Sequence, residues 1–174
     1  MIDDAARQAR LARRIRVAYG ELPADRVLAG GQVVNVLSGE VYAADVALAD
    51  GMIAGVGPPG SYQGAETHEL AGALLCPALI DGHVHLESSM MLPRDFARAV
   101  VPHGTLTVIS DPHEIANVCG VDGIRFMLAA SRNLPLDVRV MLSSCVPATH
   151  METAGAHLTA ADLATLAWAE GVLG

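Results

Sequence analysis

At Pro77 the rhythm of the sequence changes, and the change restricts the fold more tightly than any overall property of the chain. Before it, short Val/Ala-rich runs at 26–28, 32–36, 41–48 and 52–56 are separated by Gly30-Gly31, Ser38-Gly39 and Ala49-Asp50-Gly51. Runs of this length between Gly-containing breaks predict strands joined by turns, with Asp50-Gly51 as a hairpin signal, and therefore a small antiparallel sheet. A Gly/Pro loop at 57–64 leads to further strands near 67–70 and 73–76. After Pro77, apolar runs at 78–84, 105–110 and 138–142 alternate with helix-like segments at 94–101, 122–133 and 159–169. Strands recurring about every 30 residues with helices between them predict parallel βα units. Three such units fit, and Thr159 with Asp162 three residues on marks a capped start for the last helix.

Size limits how far that series can run. A complete eight-fold βα barrel needs about 250 residues, and this chain has 174. The expected class is α/β, with an N-terminal helix over 1–20, a small sheet region over 21–77 and a partial βα barrel over 78–174. With 52% hydrophobic residues the chain must pack a core, yet no run approaches the ~20 continuous apolar residues of a membrane span. Aromatics are only 3% and the net charge is −8, so neither base stacking nor a basic surface favours nucleic acid as a partner.

The positive charge that exists is concentrated in 1–20, which holds five Arg and two Asp. An Arg-rich start suggests a transit peptide, but Asp3, Asp4 and the lack of a Ser-rich composition argue against one. A surface helix is expected instead. Asp3 or Asp4 would sit near its start, Leu11, Ile15 and Ala18 on one stripe, Arg13, Arg14 and Arg16 near its negative end, and Gly20 at its stop. Cys76, Cys119 and Cys145 are odd in number and form no C-x-x-C pair, which excludes a disulfide framework and points to the reducing cytoplasm. Each is expected to be a small buried apolar residue.

Chemistry-bearing residues gather where the strands end. In Asp81-Gly82-His83-Val84-His85, alternate side chains of an extended chain share a face, so Asp81, His83 and His85 point one way, and Ile80 and Val84 the other, where they are expected to pack on the helices. Two imidazoles on one face suit Zn²⁺, Fe²⁺ or Mn²⁺; histidines merely exposed on the strand or satisfied within the core are the plainer alternative. The next strand runs into Asp111-Pro112-His113-Glu114. These ionisable groups suit proton transfer or substrate orientation, or else Asp111 and Glu114 form an ordinary helix start. Cys145, after the third strand, has no basic partner visible in sequence and is expected to pack or shape a loop. His68, His103, His150 and His157 read as surface or capping residues.

Three segments taken together resemble the adenine deaminase family of the amidohydrolase superfamily. They are Asp81-Gly82-His83-Val84-His85-Leu86-Glu87-Ser88-Ser89-Met90-Met91, Val108-Ile109-Ser110-Asp111-Pro112-His113-Glu114-Ile115-Ala116-Asn117-Val118 and Ser144-Cys145-Val146-Pro147-Ala148. Ala78 stands where a Gly often precedes the Ile-Asp-Gly, and Leu106 replaces a Thr, but neither touches an expected ligand. The resemblance implies an amidohydrolase-type TIM barrel beside a β-sandwich part. It also implies a divalent metal, Mn²⁺ or Fe²⁺ with Zn²⁺ as a further option, and hydrolytic deamination of adenine to hypoxanthine and ammonia in purine salvage. His83 and His85 match the metal ligands of the first barrel strand. Asp111, His113 and Glu114 match a second-strand motif bordering the site, expected to orient or move protons. The partner is a small purine base, and assembly into a homo-oligomer stays open. Family members are much longer, so the chain is expected to be an N-terminal part, catalytically incomplete alone. Another deaminase or cyclic amidohydrolase of the superfamily, or a non-catalytic metal-binding fragment, are the competing expectations.

Overall fold

The computed structural model describes residues 4–174, and the chain divides between Pro77 and Ala78 into two compact units. In the first, helix α1 (Asp4–Ala18) is followed by β1 (Ala24–Asn35), β2 (Glu40–Ala49), β3 (Met52–Gly57), β4 (Gly64–Glu69) and the short β5 (Leu74–Leu75). Asp3, one of the two expected helix-start residues, lies outside the described residues. The stripe expected on α1 is not the one that packs. Val17 is fully buried, whereas Leu11 and Ile15 are about half exposed. Val17 packs in a core with Ala24, Val27, Ala47 and Ala49, and Arg13, one turn earlier, reaches Asp25 at 2.5 Å and Asp50 at 2.8 Å.

The sheet order is β3-β2-β1-β4, with β5 also pairing with β1. It is mixed rather than antiparallel. β1, β2 and β3 pair antiparallel, but β4 and β5 run parallel to β1, because the 57–64 loop carries the chain to the far edge of the sheet. Gly30-Gly31 is not a turn. It lies inside one twelve-residue strand as a bulge, where the register against β2 slips between Leu28 and Gly31. Buried Asp45 supports it, accepting the N–H of Gly30 at 3.2 Å and that of Gly60 at 2.7 Å. The β2–β3 hairpin turns on Asp50 and Gly51, both at positive φ (54° and 73°), as a type I′ turn requires.

The second unit is built on a parallel sheet, β6 (Leu79–Val84), β7 (Thr105–Ser110) and β8 (Asp137–Val140), in that order. Helices α2 (Pro93–Val100) and α3 (His113–Ala130) make the crossovers, and α4 (Ala160–Ala164) follows β8. Leu86, Val108, Ile124, Leu136 and Val140 form the centre of its core. Beyond α4 the chain returns along β8, where Val172 bridges Val140 in parallel.

Three local expectations need correction. α3 begins at His113 rather than near 122, because Gly120 (φ 61°, ψ −142°) kinks the helix instead of preventing its first half. Ile80 does not pack on a helix: it is 66% exposed, since β6 has a strand partner on one side only. The three cysteines are exposed, not buried. Cys76 follows the last paired residues of β5, Cys119 lies on the outer side of α3, and Cys145 sits in the loop after β8. The capped start of α4 is present, with Thr159 Oγ1 accepting from the Asp162 N–H while Asp162 accepts from the Thr159 N–H. No helix among the described residues is long and apolar enough to cross a membrane.

Candidate metal centre

The C-terminal ends of β6 and β7 bring three donors together. His83 and His85 occupy alternate positions where β6 ends, and their Nε2 atoms lie 3.1 Å apart. Asp111 follows β7 and is held beside Val84 by its own N–H, which bonds the Val84 carbonyl at 3.0 Å. Donor atoms of His83, His85 and Asp111 all fall within 4.8 Å of one another, with His83 exposed and the other two half-buried. Asp81, expected on the same face, stays out of the group, because its carboxylate folds back to accept the His83 N–H at 3.1 Å.

Around these donors the other expected residues take distinct places. Glu114 accepts from Ser88 Oγ at 2.6 Å and bonds His85 Nδ1 at 3.0 Å. His113 turns toward the third strand, where its Nδ1 lies 3.5 Å from Cys145 Sγ, so Cys145 does have a basic neighbour. Ser143, buried after β8, donates to Asp111. Asp111 does not cap α3: Pro112 occupies the cap position, and no side chain of that residue bonds the helix. Ser88, Ser143 and the His113–Cys145 contact escaped sequence reasoning because each joins different strand ends. Only the Ser/Glu-rich run after His85 hinted at the first of them.

A cleft of about 430 Å³ lies at the opposite, N-terminal ends of the strands, bordered by Leu106, Pro135, Asp137 and Arg139. It holds none of the clustered donors. In barrels built from βα units the chemistry belongs to the C-terminal ends, which is where His83, His85 and Asp111 are.

Residues 74–172, more than half of the chain, match the family model described as the amidohydrolase family. The chain belongs to the amidohydrolase family. It is 51% identical over 157 residues to the adenine deaminase of Halalkalibacterium halodurans, covering 90% of this chain and 27% of that protein. It is 57% identical over 149 residues to adenine deaminase 2 of Carboxydothermus hydrogenoformans, covering 86% of this chain and 26% of that one. This amidohydrolase chain thus spans about a quarter of the length of the curated relatives it matches. Among solved structures it resembles an N-acyl-D-glutamate deacylase from Bordetella bronchiseptica complexed with zinc and a phosphonate inhibitor. That likeness has a TM-score of 0.58 at 18% identity, over 83% of this chain and 35% of that one. A D-aminoacylase structure gives 0.56 at 22% identity, over 71% and 30%. These likenesses show the fold: the parallel strands correspond to the N-terminal part of an amidohydrolase TIM barrel.

The donor set of this amidohydrolase chain fits a divalent metal. Nitrogen ligands sit about 2.0–2.1 Å from a metal such as zinc, so two in one coordination sphere lie roughly 3 Å apart; the two Nε2 atoms do. As a carboxylate, Glu114 can only accept the hydrogen bond from His85 Nδ1–H, and the neutral imidazole then carries its lone pair on Nε2, which faces His83. Burial pushes the Glu114 carboxyl up, but the Ser88 hydroxyl, its own backbone N–H and His85 outweigh burial and hold it below the usual carboxylate range. Glu114 therefore stays ionised and keeps the imidazole oriented. Its neighbour Glu87 goes the other way: burial raises it, backbone N–H groups of Glu87 and Ile115 oppose that, and the Glu114 charge adds to the rise.

Proposed function

We propose that this chain supplies the first metal-binding strands of an adenine deaminase, which hydrolyses adenine to hypoxanthine and ammonia. The observation that carries the reading is the 51% and 57% identity with adenine deaminases over nearly the whole chain, joined to a donor group at the strand ends. In this reading α1 is a surface helix, 21–77 a small sheet region and 78–174 the hydrolase part. His83, His85 and Asp111 hold the metal. Two imidazoles and one carboxylate with no thiolate suit Mn²⁺ or Fe²⁺, and Zn²⁺ accepts the same donors.

A bound divalent ion supplies the Lewis acidity that makes water a nucleophile near neutral pH. The chain's own residues do the rest. Glu114 fixes the tautomer and direction of His85. Ser143 donates to Asp111 and thereby limits how its carboxylate can turn. In this reading His113, at the first turn of α3 with its ring 6.3 Å from that of His85, passes a proton to the departing amine. A purine base is the small-molecule partner, and the setting we propose is purine salvage in the cytoplasm, where exposed thiols such as Cys119 and Cys145 stay reduced.

The test is a chimera in which this chain replaces the matching segment of the Halalkalibacterium halodurans adenine deaminase. It is expected to release ammonia from adenine, and His83→Ala in the chimera to lose both its metal by elemental analysis and its turnover. A folded, metal-loaded chimera inert toward adenine but active on a cyclic amide would refute the substrate.

A further inference from the structure

Helix α3 carries Glu114 and His113 on its first turn, yet it starts at Pro112 with no capping side chain of its own. The first N–H groups of a helix need partners from elsewhere. One comes from a different element: Glu87, in the 3₁₀ turn that follows β6, accepts the N–H of Ile115 through Oε1 at 3.2 Å. The next residue of the same turn, Ser88, donates to Glu114. Two consecutive residues of the turn thus grip two consecutive residues of the helix, and the gripped Glu114 is the one that orients His85. The other oxygen of Glu87 is buried with no hydrogen-bond partner. Burying a carboxyl oxygen that has no hydrogen-bond partner is unfavourable, a cost set against the bond that Glu87 accepts from Ile115.

We propose that Glu87 is a positioning residue for His85. It caps α3 from outside the helix and so sets where Glu114 stands against the imidazole. The inference rests on the reading that His83, His85 and Asp111 hold a divalent ion.

The test is Co²⁺ binding to the 174-residue chain, followed by calorimetry and by the visible absorption of the bound ion, with circular dichroism confirming that each variant is folded. Glu87→Ala is expected to weaken Co²⁺ binding about 10- to 100-fold, as loss of an outer hydrogen-bond partner does, and to alter the absorption band. Glu87→Gln keeps an oxygen for the Ile115 N–H and is expected to restore wild-type binding. Glu87→Asp keeps the charge but falls short of that N–H, so it is expected to weaken binding in the same direction, which serves if the alanine variant does not fold. Because Glu87 acts through Glu114, the double variant Glu87→Ala/Glu114→Ala is expected to bind no worse than Glu114→Ala alone. Wild-type binding by Glu87→Ala or Glu87→Asp, failure of Glu87→Gln to restore binding, or additive losses in the double variant would overturn the proposal. His85→Ala separates the two levels. If it binds Co²⁺ normally, the metal reading falls and takes the inference with it; if it loses Co²⁺ while Glu87→Ala does not, the inference alone falls.

Discussion

Single side chains hold this molecule at points where the backbone departs from regular pairing. Asp45 is the clearest case, because its buried carboxylate serves the bulge at Gly30 and the loop at Gly60 together. Asp45→Ala leaves both N–H groups without that acceptor and is expected to destabilise the first unit by about 1–3 kcal/mol. A shift in the urea midpoint with an unchanged slope would show it. Nothing in the sequence around Asp45 announces this role, since its two partners lie fifteen residues away on either side. His83 and His85 differ: alternation along an extended strand puts both on one face whatever the surroundings, and the residues alone reveal the pair. Asp111 as their third neighbour is not legible in that way, because it depends on β6 and β7 lying side by side.

At the scale of elements, α1 turns Val17 into the core of the first unit and places Arg13 against Asp25 and Asp50, and α3 is kinked at Gly120. The Asp25 carboxyl is held below its usual range, first by the hydrogen bond from Arg13 and then by the Asp50 N–H. A depressed folded-state value means this contact contributes stability above the unfolded carboxylate value of about 3.9, and loses it as pH falls through the folded value. The melting temperature is therefore expected to carry an acid-sensitive component below about pH 4 that Asp25→Asn removes, with no difference in its pH slope between about pH 5 and 7. A wild-type acid limb unchanged in the variant would contradict this. In α3, Gly120 combines a positive φ with ψ −142°, and an added Cβ would meet the Ala156 Cβ at 3.3 Å. Gly120→Ala is expected to cost about 1–3 kcal/mol in a denaturant melt. The sequence leaves a helix start at Asp111–Glu114 as one of two readings and does not join it to the helix-like segment at 122–133, because a glycine between them reads as a helix breaker. Asp50-Gly51, by contrast, was legible because both residues tolerate the positive φ that a two-residue hairpin demands.

At the scale of the whole chain, β6 is an edge strand whose Leu79 and Ile80 are 62% and 66% exposed. Such an edge is a template for pairing with another strand. The chain by itself is expected to self-associate with rising concentration, and Ile80→Lys to reduce the effect, as measured by light scattering. Equal scattering from both would locate the association elsewhere. His83 is exposed beside the same edge, so water reaches the donor group freely. A site open to water forfeits much of the electrostatic advantage of an enclosed one.

Local chemistry was determined by the sequence alone: the β-to-βα change at Pro77, the Asp50-Gly51 hairpin, the capped start at Thr159, and the facing pair His83 and His85. Each depends on residues within a few positions of one another, where backbone sterics and strand alternation act. Tertiary structure alone decided that β4 and β5 run parallel to β1, that Val17 rather than Ile15 anchors α1, and that Asp111 joins the two histidines. It also decided that Glu87 reaches Ile115 and that Cys145 meets His113. These outcomes hang on which strand ends become neighbours, and that is set by the packing of whole elements rather than by any short stretch of chain.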